Sequence, residues 1–364
     1  MTPLELVLRE RIRRHGPMSF RDFMEACLYH PELGYYAGGE VWTGRRGHFL
    51  TSPELDPAFG ELWCGAFAEL WEACGAPDSF VVVELGPGEG GFAAGVLAVA
   101  TGGFAAALSY VLVEPHAAVA ERQRKRLGDD RRVSWCSSAA EVPRASAGVV
   151  FANEVLDNLP VHVLVGDGAR VAEVFVEEGS GGQLREVLGD PSRPELERCF
   201  GREPTGGRRE VGLDAHRLVR TAAGLVERGA VVLVDYGYNR PPEGGTLVAY
   251  SSAGAGTDLV TDPGAKDLTA HADWNSIRDA LAGAGLEPCG PVTQREALRA
   301  LGSGEVDRRL RSGYERALEQ RRGAEAVRFL SRRQALAALV DPGGLGGLEV
   351  VAGVANAAPP AWIR

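Results

Sequence analysis

The chain lacks several motifs that would assign an activity at once. Its 364 residues contain no Gly-x-Ser-x-Gly turn, no His-Glu-x-x-His pair and no phosphate-binding P-loop, which disfavours a hydrolase of the nucleophile-elbow type, a zinc peptidase and a kinase. Residues 1–16 are charged throughout and have no apolar core, so we expect no secretory signal. Lysine occurs only at Lys125 and Lys266. This preference for arginine is typical of a high-GC bacterium.

Cysteine and charge usage exclude further classes. None of the six cysteines stands in a Cys-x-x-Cys pair, so we expect reduced thiols, no disulfide framework and no metal site. The net charge is −10 and the basic residues are scattered, which disfavours nucleic-acid binding. The uncharged run 92–113 is long enough to cross a bilayer, but Gly102 and Gly103 interrupt it. We therefore predict a cytoplasmic protein that does not insert into or bind a membrane.

An apolar run breaks into a glycine-rich turn at residues 81–91. Glycines at positions 86, 88 and 90 allow positive φ angles and close approach of a ligand to the backbone. A helix starting near Gly91 would direct its first N–H groups at that ligand. Gly86, Gly88 and Gly91 also satisfy the Gly-x-Gly-x-x-Gly pattern of dinucleotide sites. The turn predicts a cofactor site and leaves the cofactor open.

Two carboxylates favour S-adenosylmethionine (SAM) over NAD. An NAD site normally has an acidic ribose ligand about 20 residues after the first glycine, whereas Glu114, at the end of the apolar run 110–113, comes 114 − 86 = 28 residues after Gly86. Glu84 precedes the turn and would repel a pyrophosphate, but it can balance the ammonium and sulfonium of SAM. Glu114 would then accept hydrogen bonds from the ribose hydroxyls.

The chain is predicted to have an α/β fold built on a doubly wound, Rossmann-like sheet. Short apolar runs alternate with helical patterns, which indicates parallel strands; these runs lie at residues 80–83, 110–113, 133–136, 149–152 and 230–234. We place a helical segment at 1–78, the Rossmann-like domain at 79–364, and an inserted antiparallel ribbon at about 161–212, with turns at 166–168 and 179–182. Further strands are expected at 246–250 and 348–352.

Helical periodicity predicts most of the remaining elements. In the N-terminal segment we expect helices at 4–14 and 20–29, and a capping box at Thr51–Glu54 that starts an aromatic-striped helix. C-terminal helices are predicted at 273–284, 304–321 and 323–340. Residues 357–364 are expected to form a loose tail.

Polar residues that follow the fourth strand are the best catalytic candidates. Ligands of open α/β sheets bind beyond the carboxyl ends of the strands. Glu154 and Asp157 are three residues apart, so they would share a face if this segment were helical, and His162 is a candidate base. The alternative is that Asn153 caps a helix and the two acids only favour its positive end.

Two other strand ends carry candidate ligand contacts. Trp135 and Cys136 end the third strand and could flank an adenine ring, although a buried aromatic residue that touches no ligand is equally consistent with the pattern. Asp235 and Tyr236 end the fifth strand and could line the pocket of a second substrate.

The order of the motifs resembles the MidA family. The resemblance extends over nearly the whole chain and is carried by these segments: Gly16–Phe20, Phe23–Met24, Leu28–Pro31, Gly34–Tyr36, Phe49–Glu54, Phe59–Glu61, Glu84–Gly88, Asn153–Glu154 with Asp157, Leu159–His162, Asp235–Gly237 and Asp267–His271. The family comprises class I SAM-dependent methyltransferases. Its mitochondrial members dimethylate an arginine of a partner subunit during assembly of complex I.

The resemblance implies roles for particular residues. Cofactor contacts are implied for Glu84, Gly86, Pro87, Gly88, Asn153, Thr51, Ser52 and Glu54. Gly90, Glu114, Trp135 and Cys136 are cofactor candidates from their positions in the glycine turn and at the strand ends. Acceptor contacts are implied for Tyr29, His30, Tyr35, Tyr36, Asp235 and Tyr236. Catalytic roles are implied for Glu154, Asp157 and His162.

Some positions depart from the family pattern, and they leave the methyl acceptor open. His48 stands where an aspartate is usual, and Val155, Leu156, Asn158 and Val163 replace the usual residues of the Asn-Glu segment. The leading expectation is methyl transfer to a protein or peptide side chain, with arginine nitrogen first, by a monomer or homodimer. Methylation of a small molecule or natural product, and a SAM-binding assembly factor with little catalysis, are the alternatives. In all three cases the cofactor is SAM, and the product of transfer is S-adenosylhomocysteine.

Overall fold

The computed structural model describes residues 1–37, 51–166, 170–200, 207–251 and 254–364. The chain forms two compact units, each assembled from three segments. The first unit comprises Met1–Val41, Val155–Leu218 and Gly237–Ile277, and the second comprises Trp42–Glu154, Val219–Tyr236 and Arg278–Arg364. This grouping differs from the predicted boundary at residue 78, since it assigns the N-terminal helices to the first unit together with the predicted insertion.

The helices lie close to the ranges that periodicity predicts. They are α1 (Pro3–His15), α2 (Phe20–Tyr29), α3 (Ser52–Leu55), α4 (Ala58–Ala73), α5 (Gly91–Val99), α6 (Gly102–Ala107), α7 (Ala117–Leu127), α8 (Pro194–Phe200), α9 (Leu213–Gly224), α10 (Trp274–Gly283), α11 (Gln294–Ala300), α12 (Ser303–Glu319) and α13 (Gly323–Leu339). Short 3-10 helices lie at Ala139–Glu141, Leu345–Gly347 and Ala361–Ile363. Over the described ranges, none of the helices is long and apolar enough to span a bilayer.

The strands divide between the two units. They are β1 (Met18–Ser19), β2 (Phe80–Leu85), β3 (Leu108–Val113), β4 (Val133–Cys136), β5 (Gly148–Asn153), β6 (His162–Gly166), β7 (Val171–Glu178), β8 (Leu184–Gly189), β9 (Gly207–Val211), β10 (Gly229–Asp235), β11 (Gly237–Tyr238), β12 (Val248–Ser251), β13 (Gly254–Gly256), β14 (Asp267–Thr269), β15 (Ala272–Asp273), β16 (Glu287–Thr293) and β17 (Glu349–Ala355).

The second unit contains a seven-stranded sheet in the order β16-β17-β10-β5-β2-β3-β4. The five strands β10, β5, β2, β3 and β4 pair in parallel, and β17 pairs antiparallel with both β10 and β16. The predicted α/β class with a parallel, doubly wound sheet is confirmed. The chain leaves β2 towards β3 on one side and later enters β5 on the other, so the ends of β2 and β5 form the crevice where such folds bind ligands.

The core of the second unit is rich in aromatic residues. Trp63 and Phe67 of α4 pack on Phe151 of β5, with ring centroids 5.0 and 5.6 Å apart, and Phe92 of α5 stacks on Phe151 at 4.4 Å. Helices α4 and α5 approach closely because Gly60 faces α5: a Cβ there would lie 2.7 Å from the carbonyl oxygen of Phe92. The aromatic stripe predicted in the N-terminal segment is thus core.

The first unit is built on a five-stranded sheet. Its order is β1-β7-β6-β9, and β8 pairs with β7. All of these pairings are antiparallel, which confirms the predicted inserted ribbon and adds β1 to it. The turn predicted at 166–168 lies largely outside the described residues. Helices α1 and α2 bury apolar side chains against this sheet in a core separate from that of the second unit; examples are Leu8, Phe23, Val163 and Val176.

Two local predictions are wrong. Thr51 precedes α3 but makes no side-chain capping bond, and α3 ends after four residues because Asp56, which precedes Pro57, is extended. The expected loose tail is instead packed: Trp362 is 3% exposed, and its ring lies 5.1 Å from that of Trp63. The proline and alanine residues of this segment suggested an unpacked tail, but Trp362 attaches it to the core.

Candidate active site

The turn after β2 has the backbone that the glycines predict. Gly86, Gly88 and Gly90 adopt φ angles of +63°, +51° and +79°, a region that side chains with a Cβ disfavour. Pro87 accepts a hydrogen bond from the Gly90 N–H at 2.9 Å, which closes the turn. Gly90 precedes α5 and offers no capping side chain. The first N–H groups of α5 are therefore suited to polar atoms of a ligand.

Glu84 is a buried carboxylate at the end of β2. Its Oε2 accepts a hydrogen bond from the Tyr110 hydroxyl at 2.6 Å. Burial raises the pKa of Glu84 to about 8, although the Tyr110 bond opposes this rise. No arginine, lysine or histidine of the described chain forms an ion pair with it. A cationic group of a ligand would supply the missing countercharge.

Glu114 lies at the end of β3, the neighbouring strand. One carboxylate oxygen accepts the His116 N–H at 2.8 Å, and the other accepts from Gln123 Nε2 at 3.3 Å. Burial raises the pKa of Glu114, and the bonds from His116 and Gln123 oppose that rise. Since a carboxylate has about four acceptor positions, Glu114 retains capacity for two hydroxyl groups.

Gln123 of α7 joins three strand ends and was not predicted as a site residue. Its Nε2 donates to the carbonyl oxygen of Gly88 at 2.7 Å as well as to Glu114. Its Oε1 accepts from the Trp135 indole N–H at 3.0 Å. The Gln123 amide thereby fixes the positions of the glycine turn, the Glu114 carboxylate and the Trp135 ring relative to one another.

Trp135 and Cys136, which end β4, are only partly buried. Trp135 has the Arg124 guanidinium over its ring at 4.9 Å, and burial raises the pKa of the neighbouring Cys136 thiol. The predicted flanking of an adenine ring by these two residues stays a prediction.

The segment Thr51–Glu54 packs against the start of α5. A Cβ on Gly91 would lie 2.6 Å from Glu54 Oε1 and 3.0 Å from the carbonyl oxygen of Pro53. Glu54 is held there by Arg126, with Nη1 2.8 Å from Oε1. Ser52 approaches Gln294, with Oγ and Oε1 3.3 Å apart. Glu54 thus lies beside the start of α5, and the cofactor contacts of Thr51, Ser52 and Glu54 stay predictions.

Asn153 and Glu154 end β5, across the crevice from β2. Glu154 Oε1 accepts from Asn153 Nδ2 at 2.8 Å and from the Ser52 N–H at 3.3 Å. Burial raises the pKa of Glu154 to about 7, and these two bonds oppose the rise. Asn153 Oδ1 is buried and has no hydrogen-bond partner within the described part of the chain, so it can accept a bond from a ligand.

The predicted helix after β5 does not form. Glu154 has a φ of +52°, which turns the backbone away from a helix, and residues 155–160 form bends and turns. The common helical face for Glu154 and Asp157 is therefore wrong, and so is the alternative in which Asn153 caps a helix. Asp157 belongs to the first unit, where its carbonyl oxygen accepts from Ala270.

His162 lies in the sheet of the first unit. Its Nδ1 is 2.7 Å from Glu173 Oε1, and both side chains are buried. Burial alone would raise the pKa of Glu173, but bonds from His162 and Ser192 hold it below its ordinary value. The proposed role of His162 as a base remains a prediction, and its partner gives it a structural function in the ribbon.

The residues implied in acceptor binding divide between the units. Tyr29, His30, Tyr35 and Tyr36 belong to the first unit, whereas Asp235 and Tyr236 belong to the second. His30 Nδ1 accepts the N–H groups of Glu32 and Leu33, each at 3.3 Å, so this imidazole organises the turn after α2. In the second unit, Asp235 Oδ1 accepts the Tyr236 N–H at 2.8 Å. His48 lies outside the described residues.

Comparisons with known proteins agree with this geometry. A family model described as "Putative S-adenosyl-L-methionine-dependent methyltransferase" matches residues 63–292. The chain belongs to this family. The match spans the glycine turn and all the acidic strand ends described above, and the membership confirms the resemblance and the cofactor predicted from the motifs.

Relatives match over most of their length. A mitochondrial protein arginine methyltransferase homolog of Drosophila melanogaster is 31% identical over 89% of this chain and 83% of its own length. The mitochondrial protein arginine methyltransferase of Mus musculus is 30% identical over 88% and 78%, respectively. A crystal structure of a Burkholderia thailandensis protein bound to S-adenosylhomocysteine is 29% identical, has a TM-score of 0.84, and is matched over 99% of this chain and 94% of that protein.

The protein is therefore a methyltransferase that uses SAM, and the residues of the second unit fit this cofactor. Glu84 supplies a buried carboxyl group that has no cationic partner in the described structure and that can ionise to pair with a cation, which suits the amino acid end of SAM. Glu114 has acceptor capacity for ribose hydroxyls, and the glycine turn leaves its backbone accessible. The NAD alternative for this turn is excluded by the family.

Proposed function

We propose that this methyltransferase transfers a methyl group to a nitrogen atom of a cationic protein side chain, arginine in the first place. Support comes from relatives named protein arginine methyltransferases, which align over most of their length. We further propose that the protein acts in the bacterial cytoplasm; its arginine-rich, lysine-poor composition and its cysteines without a Cys-x-x-Cys pair support this proposal.

The observation that carries the proposal is the buried carboxylate of Glu154 directly after β5, which Asn153 and Ser52 hold by hydrogen bonds. A guanidinium is protonated at all physiological pH values, so a base must accept a proton as the nitrogen becomes alkylated. A base works best when its pKa lies near the operating pH. The pKa of Glu154 is raised to about 7 by burial, which places this carboxylate in the useful range.

In the proposed mechanism, Glu154 and Asn153 act on the acceptor. SAM supplies an electrophilic methyl group on a sulfonium, and the residues align the nucleophile, exclude water and accept the proton that is released. Asn153 Oδ1 accepts an N–H of the acceptor and orients its nitrogen lone pair. Glu154 takes the proton that this nitrogen releases, and the bonds from Asn153 and Ser52 hold the carboxylate in place.

The test is methyl transfer from labelled SAM to proteins of a bacterial lysate. The recombinant protein is incubated with lysate, with Glu154→Gln as the impaired control, and labelled bands are digested for mass spectrometry. Methylarginine in a protein band, lost in the control, is the expected result. Label confined to small metabolites would overturn the proposal in favour of a small-molecule acceptor. SAM binding without transfer to any lysate component would overturn it in favour of an assembly factor.

A further inference from the structure

Within the described residues, the first unit contains a second carboxylate without a cationic partner. Asp267 of β14 is 4% exposed. The Tyr36 hydroxyl lies 3.2 Å from each of its oxygens, and Asn158 Nδ2 donates to Oδ1 at 3.0 Å. Where the structure is described, no basic side chain forms an ion pair with Asp267. The adjacent Lys266 bonds instead to the carbonyl oxygen of Asp258 at 3.1 Å.

Aromatic rings surround this carboxylate. Tyr29 stacks on Tyr36 with centroids 5.6 Å apart and an interplanar angle of 19°, and Tyr35 meets Tyr36 edge-on at 5.2 Å. Tyr29 also donates its hydroxyl to the carbonyl oxygen of Asn158 at 3.0 Å. Because Tyr29 is 37% exposed, part of its ring is open to solvent. We call these five residues, Tyr29, Tyr35, Tyr36, Asn158 and Asp267, the tyrosine cluster.

Hydrogen bonding alone does not explain an aspartate at this position. A neutral asparagine could accept from Asn158 and bond to Tyr36 without the cost of a buried charge. Burial raises the pKa of Asp267 to about 7, so the charged form is poorly stabilised by its present neighbours. Burial also raises the pKa of Tyr36, and the charge of Asp267 adds to that rise. Among the described neighbours of Asp267, a cation is the partner that is missing.

We propose that the tyrosine cluster binds a cationic side chain of the protein acceptor, with a guanidinium as the preferred group. This inference rests on the proposed function and adds a recognition site for the acceptor. A guanidinium is planar and weakly hydrated, so it stacks on an exposed tyrosine ring while its N–H groups donate to a carboxylate. An ammonium can pair with Asp267 but lacks the stacking surface.

The test measures binding in the absence of SAM. The protein, with ring-labelled tyrosines, is titrated at pH 8 with N-acetyl-arginine amide, N-acetyl-lysine amide and the neutral isostere N-acetyl-citrulline amide, and NMR shifts report binding. The decisive variant is Asp267→Asn. Asp262→Asn is the matched control, since it removes the same charge from an exposed residue and asparagine tolerates the positive φ of that position.

We expect the arginine probe to shift the resonances of Tyr29 and Tyr36 and to bind at least tenfold more tightly than citrulline, with lysine between them. Asp267→Asn should abolish this difference, and Asp262→Asn should preserve it. The melting temperature of Asp267→Asn at pH 8 should equal or exceed that of wild type, because a buried charge is removed; a clear fall would assign Asp267 a structural role and overturn the proposal. Equal binding of arginine and citrulline would also overturn it.

The failures of the two proposals are distinguishable. If the cluster binds arginine but no protein is methylated, the cation site stands and the proposed function falls. If lysate proteins acquire methylarginine and Asp267→Asn methylates them with unchanged KM, the function stands and the cluster is not the recognition site.

Discussion

Replacing Glu84 by glutamine should remove most of the pH dependence of SAM binding. The pKa of Glu84 is raised to about 8, so this group is neutral in the cofactor-free protein at pH 7 and must ionise to pair with a cation. Binding at pH 7.0 should therefore release about 0.9 proton, the protonated fraction of a group with that pKa. When SAM binds to Glu84→Gln, almost no proton should be released from this position.

The same linkage gives a magnitude for the affinity. Protonation of Glu84 weakens binding by the factor 1 + 10^(pKa − pH), which falls from about 320 at pH 5.5 to about 11 at pH 7.0, so the Kd of wild type for SAM should tighten about thirtyfold. An α-ammonium remains charged over this interval. The Kd of Glu84→Gln should change much less over the same pH interval. At pH 7.0 we expect the wild type to bind SAM in the low micromolar range, about −8 kcal/mol, and the variant to bind at least about tenfold more weakly.

The assay is isothermal titration calorimetry in buffers of different ionisation enthalpy, which yields both Kd and proton release. Subtracting the variant from wild type isolates Glu84 from the other buried carboxylates. Equal Kd values for the two proteins at pH 7.0, or equal proton release, would refute the pairing of Glu84 with the cofactor.

Stability provides an independent control. The folded pKa of about 8 lies above the ordinary glutamate value of 4.5, so the folded protein holds the extra proton between these two pH values. The resulting stabilisation is complete below about pH 4.5 and is lost as pH rises through 8. The melting temperature of cofactor-free Glu84→Gln should therefore rise relative to wild type across this window.

Three further predictions concern other parts of the molecule. Glu114→Ala should weaken SAM binding by about tenfold or more in the same calorimetric assay, because it removes the acceptor for the ribose hydroxyls; an unchanged Kd would remove Glu114 from the site. Glu154→Gln should lower methyl transfer at least about a hundredfold while SAM affinity stays within a few-fold, and a wild-type rate in the folded variant would contradict the role of Glu154 as the base. Trp362→Ala should destabilise the protein by about 3–5 kcal/mol through the cavity left beside Trp63, which thermal unfolding would reveal.

Most of the architecture of the second unit could be predicted because its strands are continuous apolar runs that end in glycine or an acid. The runs at 80–83 and 149–152 correspond to β2 (Phe80–Leu85) and β5 (Gly148–Asn153). Buried parallel strands give this signal since both of their faces are covered. The acidic residues at the strand ends were chosen as site candidates because ligands of such sheets bind at the carboxyl ends of the strands.

The failures have local physical causes. The spacing of Thr51 and Glu54 matches a capping box, but Pro57 forces Asp56 into an extended conformation and ends the helix. The positive φ of Glu154 could not be foreseen, since a glutamate rarely adopts it.

Gln123 gave no usable signal, whereas Tyr110 did. Gln123 is fully buried in α7, and the only other buried residue of this helix is Ala120. The sequence of α7 is therefore polar, which is typical of an exposed helix and gives no reason to expect a buried glutamine. Tyr110 stands inside an otherwise apolar strand, and a buried tyrosine hydroxyl needs a partner. That partner, Glu84, could have been sought among the acidic residues of the neighbouring strand.

The position of β17 between β10 and β16 has a consequence for biosynthesis. All segments of the first unit have been translated once residue 277 is made, but the sheet of the second unit lacks an inner strand until residue 355. The difference of 355 − 277 = 78 residues corresponds to about 4–16 s of elongation. During that interval β10 has no partner on the side that β17 later occupies, and an unpaired strand edge of this kind makes folding intermediates prone to aggregate.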